Sequence, residues 1–197
     1  MSEDDIQEKQ IFSILAISGS LRKRSSNTAL LEAALTLSPQ NVEMKLYDGL
    51  GNLPHFNPDL ESTEPPPVAD LRRQLSWSDG LIISSPEYAH GVPGVLKNAL
   101  DWLVSGEEFA GKPIALFNAS PRATYAQASL IEIVTTMAGQ VVPEASITVP
   151  LLGRKLDATG IAADPEISSM VRTAIGGFVI AIERLQSKPS NSKFQTT

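Results

Sequence analysis

The residues best suited to chemistry lie in the segment SGSLRKRSSNT, residues 18–28, which directly follows a short apolar run. It holds four serines, one asparagine, one threonine, one glycine and three cations. Backbone N–H groups at a helix N-terminus bind phosphate, and hydroxyl groups and a cation strengthen the attraction. A capped helix beside a solvated basic turn explains one hydroxyl residue, but not a whole segment of this composition. The segment therefore predicts a phosphate-binding site.

Two nucleotide-binding motifs do not occur in this segment. The P-loop sequence GxxxxGK[ST] is absent, and no GxGxxG follows the apolar run. These absences argue against a P-loop nucleotidase and against dinucleotide binding of the Rossmann type. A mononucleotide held by its phosphate remains as the ligand class.

A second loop, SPEYAHGVPG at residues 85–94, has the composition of a rigid recognition loop. Its two prolines stiffen both ends, while Gly91 and Gly94 permit unusual dihedral angles or close backbone approach. With the flat side chains of Tyr88 and His90, such a loop suits the edge of a planar heterocycle. A tight connection from strand to helix, with Tyr88 in the core, is the alternative, and this loop alone leaves both open.

The elements that must position these loops alternate along the chain. Short β-branched runs predict strands, and apolar spacings of three and four residues predict helices. The predicted strands cover residues 11–17, 42–47, 80–84, 114–118 and 141–149, with 42–47 at an edge. The predicted helices are centred on residues 30–37, 68–75, 93–104, 130–138 and 170–182, and residues 48–67 form a long loop. This alternation predicts an α/β fold with an open parallel sheet and helices on both faces.

The two loop motifs resemble a known family. GSLRKRSSN together with SPEYAHGVPGVLKNALDWL is similar to the NADPH-dependent FMN reductases, which are flavodoxin-like proteins that include quinone, azo-dye and chromate reductases. The resemblance covers about residues 11–185. It implies a flavodoxin-like, five-stranded parallel sheet in the order 2-1-3-4-5. It also implies an enzyme that passes hydride from NADPH or NADH through bound FMN to a small acceptor, such as free flavin or a quinone.

The resemblance also implies which residues bind FMN. By position, Ser20, Arg22, Ser25, Asn27 and Thr28 correspond to the phosphate-binding residues. The residues along the isoalloxazine ring are Pro86, Glu87, Tyr88, Ala89 and His90, and Ser120 is the matching contact after the fourth strand. The family often has a glycine-rich stretch in that third loop, whereas this chain has no glycine between Gly111 and Gly139. No catalytic side chain and no metal ligand are expected, because the flavin carries the chemistry.

The helix that begins near Pro93 bears on the oligomeric state. Its polar residues form only a narrow stripe at positions 97, 98 and 101. A helix that is apolar on most sides is buried in the core and in a partner. Similar proteins dimerise or tetramerise through this region, so the resemblance implies a homodimer or homotetramer. Plain core packing of Leu100 and Trp102 explains the pattern equally well.

Composition limits the remaining possibilities. The 197 residues include no cysteine and two histidines, which excludes disulfides, thiol catalysis and iron–sulfur ligation. Redox chemistry must therefore come from an organic cofactor. The net charge of −6 argues against nucleic-acid binding, and no apolar stretch is long enough for a membrane helix.

The ends of the chain differ in character from its body. The first ten residues carry four acids and one lysine, which is the wrong sign for a signal peptide and suggests a cytoplasmic protein. We expect an acidic disordered tail at residues 1–10, one FMN-binding domain at residues 11–185 and a polar tail at residues 186–197.

Other functions are compatible with parts of the pattern. A flavodoxin-type electron carrier or a non-catalytic flavin-binding protein would use the same loops. Outside the acidic first ten residues the chain is close to neutral, and the loop at residues 85–94, called the ring loop below, contains a single tyrosine. Both features favour an enzyme over an electron carrier. Serines near Arg22 and Arg122 suggest phosphoryl or acyl transfer, but the sequence contains neither a GxSxG elbow nor the partners of a catalytic triad.

Overall fold

The computed structural model of the protein describes residues 10–187 and shows a parallel sheet between two layers of helices. The strands are β1 (Phe12–Ser18), β2 (Val42–Leu46), β3 (Gly80–Ser84), β4 (Pro113–Asn118), β5 (Gln140–Val141) and β6 (Ile147–Thr148). The helices are α1 (Ser26–Leu37), α2 (Pro66–Trp77), α3 (Gly94–Leu103), α4 (Thr124–Thr136), α5 (Ala158–Ala163) and α6 (Pro165–Gln186). The five predicted helices correspond to α1–α4 and α6.

The sheet has the predicted order β2-β1-β3-β4-β5, and all its strands are parallel. The central strands β3 and β4 are buried at every position, as expected of strands covered on both faces. β2 alternates between half-buried and exposed residues because it lies at the edge. The predicted flavodoxin-like α/β fold is therefore confirmed.

Alternate residues of each strand face opposite helical layers. Ile14 and Ala16 of β1 pack in a cluster with α1, α5 and α6, whereas Leu15 and Ile17 pack with α2, α3 and α4. This division follows from the two-residue period of a strand. It places α1 on one face of the sheet and α3 on the other.

The fifth strand differs from its prediction. Residues 141–149 do not form one strand; β5 pairs with the beginning of β4 and β6 with its end. A 3-10 turn at Pro143–Ala145 separates the two segments, since a proline has no N–H for the ladder. The hydroxyl of Ser146 fills the gap by accepting a hydrogen bond of 3.1 Å from the Leu116 N–H.

Two further local differences concern short helical segments. The long loop at residues 48–67 contains 3-10 turns at Gly49–Asn52 and Pro58–Thr63. The short helix α5 was not predicted, because six residues are too few for a helical period; the Asp157 side chain caps it by accepting from the Gly160 N–H at 2.8 Å.

The bulky residues of α3 pack within the chain itself. Leu100 and Trp102 are buried, which agrees with their interpretation as core residues. The Trp102 Nε1–H and the Asn98 Nδ2–H both donate to the Pro54 carbonyl, at 2.8 and 2.9 Å. Lys97 forms an ion pair with Asp101. Asn98 of the polar stripe on α3 therefore anchors residues 54–56, and the other two residues of the stripe pair with each other.

The helix α6 is the only one among residues 10–187 that is long and apolar enough to span a membrane. Its residues Ile175, Phe178 and Ile182 are completely buried against the sheet, as in the core helix of a folded domain. The predicted tails lie almost entirely outside the described residues.

The glycine at the end of α4 provides a test of this packing. A Cβ at Gly139 would lie 2.6 Å from Ile114 Cδ1 and 2.9 Å from the Val134 carbonyl oxygen. We expect Gly139→Ala to lower the free energy of unfolding by about 1–3 kcal/mol through overpacking. As a control, Gly176→Ala meets no atom within 4 Å in helix α6 and should raise it by about 0.5–1 kcal/mol. Equal effects in denaturant titrations would contradict this packing.

Candidate functional site

The loops after β1, β3 and β4 meet at the carboxyl edge of the sheet and enclose a cleft of about 420 Å³. The residues that line it are Ser20, Arg22, Ser25, Ser26, Asn27, Ser85, Pro86, Glu87, Tyr88, Asn118, Ala119, Ser120, Arg122, Ala123 and Leu152. The chain leaves β1 and β3 toward helices on opposite faces, and ligands of open α/β sheets bind at such a reversal of strand order. The three loops predicted to bind a ligand are thus the ones that form this cleft.

A larger depression of about 650 Å³ lies at the opposite, amino edge of the sheet. Its main polar groups are already paired. Asp79 accepts hydrogen bonds from the Ser13 N–H and the Gln186 side chain, both at 2.8 Å. The Lys112 ammonium donates to the carbonyls of Leu75 and Ser78, and its burial lowers the pKa of this lysine. The hydrogen bonds from Lys112 therefore stabilise the end of α2. The cleft at the carboxyl edge is the candidate site.

The N-terminus of α1 forms one end of the cleft. Ser20, Ser25 and Asn27 are buried there, at 8–9% exposure. The extended N-cap Ser25 accepts a long hydrogen bond of 3.4 Å from the Thr28 N–H. Within the described residues, the backbone N–H groups of Ser26 and Asn27 have no acceptor, as is usual in the first turn of a helix. These donors are available to an anion.

Three cations, Arg22, Lys23 and Arg24, precede the N-terminus of α1. Among residues 10–187, no carboxylate pairs with Arg22, Lys23 or Arg24. Of the three cations, Arg22 lines the cleft. An unpaired guanidinium beside free N–H groups is an arrangement that binds a phosphate monoester.

Two side-chain hydrogen bonds fix the N-terminus of α1 to the sheet. The Ser84 hydroxyl donates to Asn27 Oδ1 at 3.0 Å, and the hydroxyls of Ser18 and Thr28 are 2.7 Å apart. Thr28 was predicted as a site residue but does not line the cleft. Its contact holds α1 against the end of β1, so it positions the residues that do line the cleft.

The first two loops approach closely at Gly19. A Cβ there would lie 3.0 Å from both Leu96 Cδ2 and Ser85 Oγ. The Gly19 N–H also donates to the Ser84 carbonyl at 2.8 Å. Glycine thus permits this contact between the loops that follow β1 and β3.

The loop after β3 is a tight turn closed by two hydrogen bonds between Tyr88 and Gly91, of 3.2 and 3.0 Å. Its central residues Ala89 and His90 have φ angles of 49° and 58°. The left-handed dihedral angles of this loop are thus found at two non-glycine residues rather than at Gly91 or Gly94. Both central residues adopt left-handed conformations because a two-residue turn of this hand requires them.

The turn divides the predicted ring-loop residues into two groups. Pro86, Glu87 and Tyr88 line the cleft, whereas Ala89 and His90 lie at the exposed tip and do not line it. The His90 ring packs edge-on against Tyr125 of α4, with centroids 4.3 Å apart. His90 therefore contacts the rim of the site.

Glu87 joins the second loop to the third. Its Oε2 accepts a hydrogen bond of 2.9 Å from the Ala126 N–H, in the first turn of α4, and its Oε1 lies 3.1 Å from His90 Nδ1. The N-cap of α4 is Ala123, which has no capping side chain. The Ala126 N–H, assisted by His90, lowers the pKa of Glu87. Glu87 thus caps α4 from a neighbouring loop and is ionised at neutral pH.

The third loop makes its turn without glycine. The Ser120 N–H donates to Asn118 Oδ1 at 3.0 Å, and the Arg122 N–H donates to Ser120 Oγ at 3.2 Å. These bonds replace the conformational freedom of a glycine-rich stretch. Ser120 and Arg122 both line the cleft.

Several cleft residues were not among the predicted site residues, namely Ser26, Ser85, Asn118, Ala119, Arg122, Ala123 and Leu152. Asn118 carries a readable signal, because a polar residue ends a fully buried strand there. Leu152 carries none, since it reaches the cleft from the segment that follows β6.

The capping role of Glu87 predicts a dependence of stability on pH. An unfolded glutamate has a pKa of about 4.3, and the hydrogen bond from the Ala126 N–H lowers the pKa of Glu87 in the folded protein. Its ionised form therefore stabilises the folded state above that pH, and this contribution is lost as the pH falls through the lowered pKa. We expect Glu87→Gln to lower the melting temperature at pH 7, and the difference from wild type to shrink as the pH falls below about 4.

A matched control is His90→Asn, which removes the imidazole but leaves the hydrogen bond from the Ala126 N–H. This variant should keep most of the wild-type pH dependence. A Glu87→Gln difference that stays constant from pH 7 to below about 4 would show that the carboxylate charge does not cap α4.

Comparison with known proteins identifies the family of this chain. The model of the NADPH-dependent FMN reductase family matches residues 12–151. An NAD(P)H-dependent FMN reductase of Pseudomonas aeruginosa is 41% identical over 54% of this chain and 59% of that protein, so the match spans less than two thirds of that relative. A probable NADPH:quinone oxidoreductase 2 of Oryza sativa is 29% identical over 91% of this chain and 93% of that protein.

Solved structures agree in fold. FerB, a flavoenzyme NAD(P)H:(acceptor) oxidoreductase from Paracoccus denitrificans, has a TM-score of 0.75 and 29% identity, covering 88% of this chain and 98% of that one. An NADH:FMN oxidoreductase in its apo form has a TM-score of 0.65 at 24% identity, covers 91% of this chain and 92% of that one, and supports the fold alone. Because the family model matches well over half of the sequence, the chain belongs to the NADPH-dependent FMN reductase family, as its motifs predicted.

Proposed function

We propose that the protein is an FMN-dependent NAD(P)H oxidoreductase that reduces a small acceptor, such as free flavin or a quinone. The observation that carries this proposal is the cleft at the reversal of strand order, which has an anion-binding end and a rigid loop beside it. Family membership supports the same activity.

The residues present suit the phosphate of FMN. The free N–H groups of Ser26 and Asn27, the hydroxyls of Ser20 and Ser25 and the unpaired Arg22 provide donors and charge at one end of the cleft. A dianionic phosphate there would also interact favourably with the dipole of α1. These residues would hold the phosphate without a metal ion.

The remainder of the cleft suits a planar ring system. Its volume of about 420 Å³ lies within the range of cofactor pockets, about 300–1,000 Å³. Pro86 and Tyr88 provide flat surfaces, and Ser120 provides a polar edge on the opposite wall. Glu87 keeps the ring loop and α4 together and so fixes the distance between the two walls.

Bound FMN would supply hydride transfer, which is chemistry that no side chain of this protein provides. The protein therefore contributes binding, orientation and charge. Glu87 is occupied as a cap, which leaves it unsuited to proton transfer. His90 lies on the rim at 73% side-chain exposure, where an acceptor would enter.

A flavodoxin-type electron carrier is the second candidate. The observation in its favour is that Tyr88 and Tyr125, beside the cleft, are 49% and 61% exposed. Carriers tend to flank the flavin with exposed aromatic residues. A carrier would hold FMN but would barely oxidise NADPH.

We also propose that the protein is a homodimer or homotetramer and that it is cytoplasmic. The bulky side chains of α3 are buried within one chain, which leaves Val104 exposed at its end. We base the oligomeric expectation on the resemblance alone.

The visible spectrum of the protein under anaerobic conditions tests the proposed function. We expect flavin absorption bands after purification or after addition of FMN, rapid bleaching by NADPH or NADH, and recovery of the bands when a quinone is added. Bands that bleach with dithionite but not with either nucleotide would favour the carrier. A protein that stays colourless after FMN is added would refute FMN binding itself.

A further inference from the structure

Two arginines line the cleft from different loops. Arg22 follows β1, and Arg122 follows β4. In both loops the arginine N–H donates a hydrogen bond to the hydroxyl of the serine two positions earlier. The distances are 3.3 Å from Arg22 to Ser20 and 3.2 Å from Arg122 to Ser120. No carboxylate within residues 10–187 pairs with either guanidinium. The cleft therefore presents two free cations.

The two arginines approach the cleft from loops that are separated in the sheet. The strand β3 lies between β1 and β4, so the two loops leave the sheet about 10 Å apart, twice the spacing of neighbouring strands. The N-terminus of α1, with its free N–H groups, lies on the side of Arg22. Arg22 is thus the natural partner of the FMN phosphate, and Arg122 remains without a counter-charge.

The helix beside Arg122 does not supply a second anion site. The first turn of α4 is already occupied by the Glu87 carboxylate, which accepts from the Ala126 N–H. An anion near Arg122 therefore depends on the guanidinium alone. Arg122 is exposed, as is Arg22, so its guanidinium can meet an anion on a ligand that extends out of the cleft.

We propose that Arg122 binds the 2′-phosphate of NADPH and makes the protein prefer NADPH over NADH. This inference rests on the proposed function. A nicotinamide that reacts in the cleft leaves the adenosine end of its dinucleotide at the rim, where Arg122 lies. A guanidinium binds a phosphate monoester through two parallel hydrogen bonds, which a lysine cannot reproduce. The pyrophosphate is common to both dinucleotides and would give no preference.

The test compares wild type with Arg122→Ala in the FMN-loaded protein. We expect the ratio of kcat/KM for NADPH to kcat/KM for NADH to fall about tenfold or more, as for one charged hydrogen bond. Calorimetry with 2′,5′-ADP and 5′-AMP isolates the 2′-phosphate, and the variant should lose affinity for 2′,5′-ADP only. Arg122→Lys should recover part of both effects. FMN affinity should be unchanged.

The control variant is Arg154→Ala. Arg154 is an exposed arginine near the cleft residue Leu152, but it pairs with Asp164 at 3.4 Å. Arg154→Ala should change neither the kcat/KM ratio of NADPH to NADH nor the affinity for 2′,5′-ADP relative to 5′-AMP. Equal losses for NADPH and NADH in Arg122→Ala, or a wild type that binds 2′,5′-ADP no more tightly than 5′-AMP, would overturn the inference. Failure of the proposed function is distinguished by a wild type that binds no FMN or is reduced by neither nucleotide.

Discussion

The candidate site depends on the free N-terminus of α1 and its attraction for an anion. Two N–H groups without acceptors, several hydroxyls and an unpaired arginine lie together there at the carboxyl edge of the sheet. No carboxylate of the described chain pairs with the cations there, so this end of the cleft favours a bound anion. The hydrogen bond that the Ser84 hydroxyl donates to Asn27 Oδ1 and the contact between the Ser18 and Thr28 hydroxyls hold this end of α1 in place.

The two helix N-termini at the cleft are used differently. That of α1 is open to a ligand, whereas that of α4 is occupied by Glu87 from the loop after β3. The same carboxylate contacts His90, which in turn packs on Tyr125. Glu87 therefore connects the ring loop to the third loop and α4 across the cleft. This connection and the absence of glycine from the third loop both restrict its movement.

The sequence predicted the parts of the structure that depend on local patterns. Buried runs such as 80–84 and the amphipathic spacing in α1 predicted the alternation of strands and helices, and the polar segments after β1 and β3 predicted which loops meet. The two-part fifth strand was missed because the apolar residues around Pro143 resemble one strand, and only the missing N–H of proline interrupts it.

The details that depend on contacts between distant segments were not predictable. The left-handed conformations of Ala89 and His90 arise from closure of the turn between Tyr88 and Gly91. The identities of these two residues do not by themselves predict such conformations. The contact between Glu87 and Ala126 joins residues 39 positions apart. The contact between the Thr28 and Ser18 hydroxyls likewise depends on how α1 packs against β1.

The contribution of the α1 N-terminus to flavin binding is measured most directly by the affinity of the flavin-free protein for FMN relative to riboflavin, which lacks only the phosphate. If the N-terminus of α1 anchors the phosphate, FMN should bind on the order of 100-fold more tightly or more, as two charged hydrogen bonds would give. Equal affinities for FMN and riboflavin would show that the N-terminus of α1 does not anchor the phosphate, because the phosphate would then contribute nothing at this end of the cleft.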